Sequence, residues 1–249
     1  SDYKLADTSK DQVKHQLSGM YQNWFLDYAS YVILERAVPH INDGLKPVQR
    51  RILHSMKILD DGRYNKVANI VGNTMQFHPH GDASVYDAMV RLAQEFSLRV
   101  PLVNGQGNFG TIEGDVAASA RYTEATFTKA GYAFFNDINK NVVNFVPNYD
   151  ETTTEPELLP VPFPNLLING SFGIAVGMSS NIPPHNPKEI AELTNYLIEK
   201  RKGKEFDIEK ALDILPAPDF PTKGIIYSKT NLRAEMKKAL LTGKAKLTL

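Results

Sequence analysis

Two stretches with apolar residues at helical spacing, 66–77 and 83–96, are joined by only five residues, HPHGD (78–82). A joint that short, carrying Pro79 and Gly81, cannot continue one helix and leaves room only for a sharp turn. The spacing predicts two helices, the first turning Val67, Ile70, Val71, Thr74 and Met75 inward and the second Val85, Met89, Val90 and Leu92. Asp82 or Ser84 can cap the second helix. Two helices about a tight glycine-containing turn make a helix-turn-helix, a unit that normally sends the N-terminal end of its second helix into the DNA major groove.

The flanking sequence extends this unit on both sides. Positions 11–36 carry Val13, Leu17, Met20, Trp24, Leu26, Tyr28, Tyr31, Val32 and Leu34 at helical spacing, and Pro39 then breaks the helix. INDG (41–44) reads as a turn. Pro47 suits a helix's first turn, and VQRRILHSMKIL follows with Val48, Ile52, Leu53, Met56 and Leu59 on one side until DDG (60–62) ends it. After the helix pair comes a glycine-rich loop, 104–115. ARYTEATFTK (120–129) then alternates as a strand, with Tyr122, Glu124 and Thr126 on one face and Arg121, Thr123, Ala125 and Phe127 on the other. A second short strand is expected at 141–147, which would complete a winged-helix pattern.

Five prolines between 147 and 164 mark a boundary. Beyond it, short strands at 166–167, 173–176, 224–227 and 244–249 alternate with helices at 187–200, 207–215 and 231–241, the pattern of an α/β layer. The expected fold is α+β: a winged-helix (helix-turn-helix, CAP-like) domain followed by the start of an α/β domain. The expected divisions are an arm at 1–28, the winged-helix domain at 29–155 and the second domain at 156–249.

With 249 residues, 42% of them hydrophobic, the chain can bury a real core. The 28 Lys and Arg balance the 28 Asp and Glu, so a uniformly basic coat is excluded and any basic footprint is local. Positions 36–66 hold seven bases against three acids and 200–246 twelve against six, whereas 145–165 hold four acids and no base. The absence of cysteine excludes disulfide scaffolds, cysteine zinc sites and thiol catalysis. SDYKLADTSKDQ lacks the apolar core of a signal peptide and no stretch reaches membrane-helix length, so a soluble, cytoplasmic chain is expected.

Four groups carry possible chemistry. Gly105, Gly107 and Gly110 match GxGxxG, but TIEGD follows instead of the helix a dinucleotide site needs, so a loop is the better reading. His78, His80 and Asp82 have metal-ligand spacing, against which stand Pro79 and the capping role open to Asp82. Lys46, Arg50 and Arg51 fall within about one and a half helical turns. They form either a phosphate track or a solvated face. Arg121–Tyr122 is either half-buried strand packing or a nucleophile. A phenol with a pKa of about 10 is a weak nucleophile at neutral pH unless a base or dense positive charge stabilises the phenolate.

DGLKPVQRRILHSM (43–56), HPHGDASVYDAMVRLAQ (78–94), PLVNGQGNFG (101–110), ASARYTEA (118–125) and NGSFGIAVGMSSNIPPHN (169–186) together resemble the A subunit of bacterial type IIA DNA topoisomerases, gyrase A and topoisomerase IV A. The resemblance runs from about Asp11 to the C-terminus. It implies that Tyr122 attacks a DNA phosphodiester and becomes a 5′-phosphotyrosine, that Arg121 stabilises charge on the transferred phosphoryl group, and that His80 handles a proton or contacts phosphate with His78 beside it. It places Arg36, Lys46, Arg50, Arg51 and Arg91 on the DNA backbone. It makes Ile174 a wedge between base pairs, where the residue alone would read as strand core. No metal site is expected on this chain: the resemblance puts Mg²⁺ and ATP on the partner B subunit, onto which residues 4–23 would dock. A homodimer making double-strand breaks, within an A2B2 assembly at the bacterial nucleoid, is implied.

The A subunits it resembles continue through a tower domain, a coiled coil ending in a dimer gate and a DNA-wrapping domain. The chain is therefore read as a fragment of the breakage-reunion core, with weakened dimerisation. Position 83 is Ala where the family usually has Ser, which with the acid at Asp87 anchors quinolone drugs, so weaker drug binding is expected. Gln49 is typical of topoisomerase IV, whereas 84–186 reads closer to gyrase A. Two competing classes remain: a fragment that binds DNA or the B subunit without cutting alone, and a non-catalytic winged-helix DNA-binding protein.

Overall fold

The computed structural model describes residues 9–201 and 206–242 and is an α+β molecule. Helix α1 (Ser9–Val32) runs into a five-residue π-helix, Ile33–Ala37. From residue 19 on, the apolar stripe of α1 does not face a core: Met20, Trp24, Leu26 and Tyr28 are exposed, and among these described side chains of the helix Val32 is the first to be buried. α2 (Pro47–Leu59) begins with Pro47, whose missing N–H costs nothing there, and the Gln49 side chain accepts from the Lys46 amide at 2.9 Å. Its Ile52, Leu53 and Met56 are buried as the spacing predicts.

A two-residue strand β1 (Asn65–Lys66) leads straight into α3 (Val67–Thr74), and the tight turn delivers the chain to α4 (Asp82–Ala93). Neither Asp82 nor Ser84 is the N-cap of α4. Gly81 holds that position at φ +87°, a left-handed conformation open to glycine without steric cost. The Asp82 carboxylate instead accepts from the Ala83 amide at 2.9 Å, and the Ser84 hydroxyl donates back to the carbonyls of His80 and Gly81 at 3.2 and 3.0 Å.

Strands β2 (Val103–Gln106) and β3 (Glu124–Phe127) pair antiparallel, with Val103 opposite Phe127 and Gln106 opposite Glu124. β1 adds on the far side of β3 to give the order β1-β3-β2. The sheet buries Val103, Ala125 and Phe127 against the helices. β3 is shorter than the alternation predicts, so Arg121 and Tyr122 lie in a turn before it and not on a strand. After the short helix α5 (Lys129–Ala133), β4 (Phe145–Pro147) pairs with β5 (Thr154–Pro156) and not with β3.

Beyond the proline-rich segment the order differs from the expected alternation. Residues 165–169 form the helix α6 (Asn165–Asn169) in place of a strand at 166–167. An apolar run that short has no readable period, and Pro164 places its carbonyl to accept from the amides of Leu167 and Ile168. A hairpin follows, β6 (Ser171–Ala175) with β7 (Met178–Ile182). α7 (Pro187–Lys200) is capped by Asn186, α8 (Ile208–Ile214) by Asp207, and α9 (Lys229–Thr242) closes the described chain. No strand forms at 224–227, where Ile225, Ile226 and Tyr227 are exposed. The strand expected at 244–249 and residues 1–8 of the expected arm lie outside the described residues.

The main core joins α2, α3, α4 and the three-stranded sheet, and a smaller one gathers Ile168, Ile190, Leu212, Leu215 and Met236. A buried polar chain ties the two halves. Asp43, fully buried, accepts from the Leu45 and Leu159 amides at 3.0 and 3.1 Å, and its own carbonyl accepts from Asn165 at 2.9 Å. Asn169 donates to Asn165 at 2.8 Å and pairs with both backbone groups of Val100 at 2.8 and 3.1 Å. Among the described residues no helix is long and apolar enough to cross a membrane.

Candidate active site

The turn that carries Tyr122 is built onto the start of α3. A helix leaves its first amides without intrahelical partners, and the N-cap of α3, Lys66, offers no side-chain acceptor. The Thr123 and Ala120 carbonyls accept from Val67 and Ala68 at 3.0 and 3.1 Å, so segment 120–123 itself caps the helix. The Tyr122 amide donates to the Ser119 carbonyl at 2.9 Å, closing the turn. From this rigid base the Tyr122 side chain projects into solvent, 65% exposed. That removes the half-buried packing reading. The Arg121 guanidinium stacks over the Tyr122 ring, 4.7 Å from its centre, a cation–π arrangement that puts a fixed positive charge beside the phenol.

The histidines form a second cluster. His78 is buried and His80 exposed, their rings edge-to-face with centres 4.6 Å apart. Arg51 reaches His78 Nδ1 through Nη1 at 3.0 Å, and its Nε and Nη2 grip the Glu155 carboxylate at 2.8 and 3.1 Å. The Tyr31 hydroxyl is hydrogen-bonded to His80 Nε2, and Glu35 lies 3.9 Å from Arg51. Burial, then the charges of Arg51, His80 and Arg36, push His78 down to about 4. His80 is lowered by burial and by Arg36 and Arg51, with Glu35 opposing. At neutral pH His78 is therefore an uncharged imidazole, able to donate a hydrogen bond but not to supply a proton as an acid.

Lys46, Arg91 and the β6–β7 hairpin form a third group. Lys46 Nζ donates to the Phe172 carbonyl at 2.5 Å. Its ammonium is held below the ordinary lysine value by burial and by the nearby Arg91 charge. The hairpin sits hard on the π-helix: a Cβ on Gly173 would come 2.1 Å from the Ala37 carbonyl oxygen, so this close approach excludes any side chain. On the hairpin so held, Phe172 and Ile174 share one face and stand 63% and 71% exposed. The strand-core reading of Ile174 therefore fails.

Arg50 does not join a surface track with Lys46. It is buried, its Nε 2.6 Å and Nη2 3.0 Å from the Asp43 carboxylate oxygens, with a further bond to the Leu45 carbonyl. The one-turn spacing puts Lys46 and Arg50 near one another, but α2 points Arg50 at the core, where a fully buried acid needs a cation. Arg51 is likewise committed to Glu155. Arg36 and Arg91 are exposed. Ala83 and Asp87, one turn apart on α4, are exposed, and Ala83 with Asp82, Tyr86, Met75, Ser119 and Ala120 lines a cavity of about 360 Å³ under the tyrosine turn.

The structure thus joins Arg36, Arg51, His78 and His80 in one cluster, and Lys46, Arg91 and the Ile174 hairpin in another. No hydrogen bond, ion pair or ring contact among the described residues links Tyr122 to either histidine. Sequence reasoning missed Tyr31, Glu35 and Glu155. Tyr31 is hidden in the apolar stripe of α1, where its hydroxyl carries no signal. Glu155 had a usable signal, because an acid-only segment in a neutral chain needs cations supplied from elsewhere. Among the described residues no three His, Asp or Glu side chains gather as metal ligands, and GQGNFG runs from β2 into the 107–123 loop without opening a helix.

Comparison with known proteins adds the family. The family of the A subunits of DNA gyrase and topoisomerase IV matches residues 36–248. The chain is 48% identical to the DNA gyrase A subunit of Buchnera aphidicola over 98% of its own length, and 48% identical to that of Granulibacter bethesdensis over 90%. It is 51% identical to that of Staphylococcus aureus over 84%. It spans only 24–28% of the length of these relatives. The chain belongs to the family of DNA gyrase and topoisomerase IV A subunits.

Proposed function

We propose that the chain is a DNA-cleaving core of a type IIA topoisomerase A subunit, working by reversible transesterification. The observation that carries this is Tyr122, an exposed phenol on a turn fixed by α3, with the Arg121 charge against its ring. The Tyr122 oxygen attacks a backbone phosphorus and the 3′ oxygen leaves, giving a 5′-phosphotyrosine and a free 3′ hydroxyl. Arg121 stabilises charge developing on the phosphoryl oxygens. The reverse attack by the 3′ hydroxyl reseals the strand, so no hydrolysis and no outside energy are needed for the chemistry.

In this reading α3, α4 and the β1-β3-β2 sheet act as a winged helix against duplex DNA, and the C-terminal half begins a tower domain. Arg36, Lys46, Arg91 and the histidine pair face the backbone, and the Ile174 hairpin wedges a base step. Unstacking a step costs a few kcal/mol and is offset by wider wrapping contacts. Arg50 and Arg51 serve this surface from behind through their ion pairs. Mg²⁺ and ATP belong to the B subunit, which docks on the exposed side chains of α1. Cleaving both strands requires two tyrosines, hence two copies of this chain, and the second copy would also supply its histidine pair to a tyrosine that contacts neither His78 nor His80 of its own chain.

The test is covalent trapping. The chain is mixed with a B subunit, Mg²⁺ and labelled duplex, then denatured abruptly. The reading expects a protein–DNA adduct that Tyr122→Phe abolishes while DNA affinity is retained. Bound DNA with no adduct from the unaltered chain favours the binding-fragment reading instead.

A further inference from the structure

We propose that Glu155 is a positioning residue of the cleavage site: its carboxylate grips Arg51 by two hydrogen bonds, holds the third guanidinium arm on His78 Nδ1, and so fixes His78 as an Nε2–H donor beside His80. The proposal rests on the reading of the histidine pair as part of that site. A guanidinium has donors and no acceptor, so the 3.0 Å contact between Arg51 Nη1 and His78 Nδ1 requires a bare lone pair on Nδ1. The ring's proton then sits on Nε2.

Glu155 is what keeps Arg51 there. The Arg51 and Glu155 side chains are 19% and 9% exposed, so water does little to hold the cation in place. The charged and titratable groups facing His78 are Arg51 from α2, Arg36 from the π-helix and His80 from its own turn. Tyr31 and Glu35 reach only His80 and Arg51, and Glu35 is a distant 3.9 Å from the guanidinium. Without Glu155 the guanidinium would face positive charge with one weak counter-charge, and would swing outward.

The hairpin that carries Glu155 is built onto the histidine turn. Asn148, buried at the end of β4, donates to the Gln76 carbonyl at 2.8 Å, two residues before His78, and accepts from the Thr153 amide at 3.1 Å. His54 of α2 packs edge-to-face on both Phe77 and Phe145, joining the same three segments. The acid-only segment thus supplies one carboxylate to the site from a braced element.

Nitrogen-15 NMR of the histidine rings in the 249-residue chain tests this without any cleavage. In the unaltered chain His78 is expected to show a bare Nδ1 and a protonated Nε2, and to titrate near 4. In Glu155→Gln, with Arg51 released, one of the charges that lower it is gone and its midpoint should rise toward the ordinary value of about 6.5, burial still holding it below. Trapped adduct should fall by roughly tenfold or more at unchanged DNA affinity. A proton found on Nδ1 of the unaltered chain overturns the proposal and needs no variant to fold. A folded Glu155→Gln whose His78 still titrates near 4 overturns it too, reducing Glu155 to packing. An unaltered chain with the expected ring signature but no adduct removes the cleavage role, and marks failure of the functional reading itself and not of the Glu155–Arg51–His78 linkage.

Discussion

Asp43 and Arg50 show what a single residue can hide. In the sequence Asp43 sits in a turn and Arg50 in a basic run, and nothing in their spacing couples them. In the fold they make a two-pronged ion pair that also collects the Leu45 and Leu159 amides. Breaking a buried pair strands the other charge, at a cost of about 3–5 kcal/mol. Asp43→Ala should therefore lower the urea unfolding free energy by about that amount, whereas Arg63→Ala, from the exposed pair with Asp61, should leave it nearly unchanged, because water screens that pair. A second prediction concerns α4. Ala83 lacks the hydroxyl that would work with Asp87 one turn on, so Ala83→Ser should increase quinolone-stabilised adduct in the trapping assay, and unchanged drug sensitivity would contradict the expected role of that pair. Charge type and helical spacing were legible at this scale. Partners were not, because an ion pair is made by chain segments that only the fold brings together.

The elements show the same division. Helical periodicity located α2, α3, α4, α7, α8 and α9, and the five-residue joint set the turn. Strand alternation sorted the residues of β3 onto two faces, of which the fold buries the one with Ala125 and Phe127, but it did not give the strand's neighbours. β3 pairs with β2 across the long 107–123 loop and with a two-residue strand too short to read. The β6–β7 hairpin was half legible: the apolar run of β6 reads as a strand, whereas the serines and asparagine of β7 do not. Its exposed isoleucine on a firmly seated element carries a paired prediction. Ile174→Ala should reduce bending of bound duplex, read by fluorescence transfer between end labels, with little change in stability. Gly173→Ala should reduce bending and also destabilise the chain, because its Cβ collides with the Ala37 carbonyl. Unaltered bending in Ile174→Ala would remove the wedge from the account.

For the molecule as a whole, the neutral total charge conceals an arrangement in which acids of one zone are spent inside another. Glu155 from the acidic segment neutralises Arg51 of the basic one. Four histidines, His54, His78, His80 and His185, are held below the ordinary value, with burial first among the causes. The folded chain thus binds fewer protons than the unfolded one between the two values. Their contribution to stability is present above about pH 6.5 and is lost as the pH falls toward the folded values, near 4 for His78. For His78 alone, linkage gives a loss of about 2 kcal/mol between pH 7 and pH 5. Urea unfolding at those two pH values should show at least that drop, and a flat profile would contradict it.

The central claim is that the Tyr122 oxygen is the atom that joins DNA, and it is tested most directly by mapping the bond. The trapped adduct, digested with nuclease and protease, should yield by mass spectrometry one modified peptide carrying a nucleotide on Tyr122 through a 5′ phosphate. A nucleotide on another residue, or a 3′ linkage at Tyr122, would contradict the account.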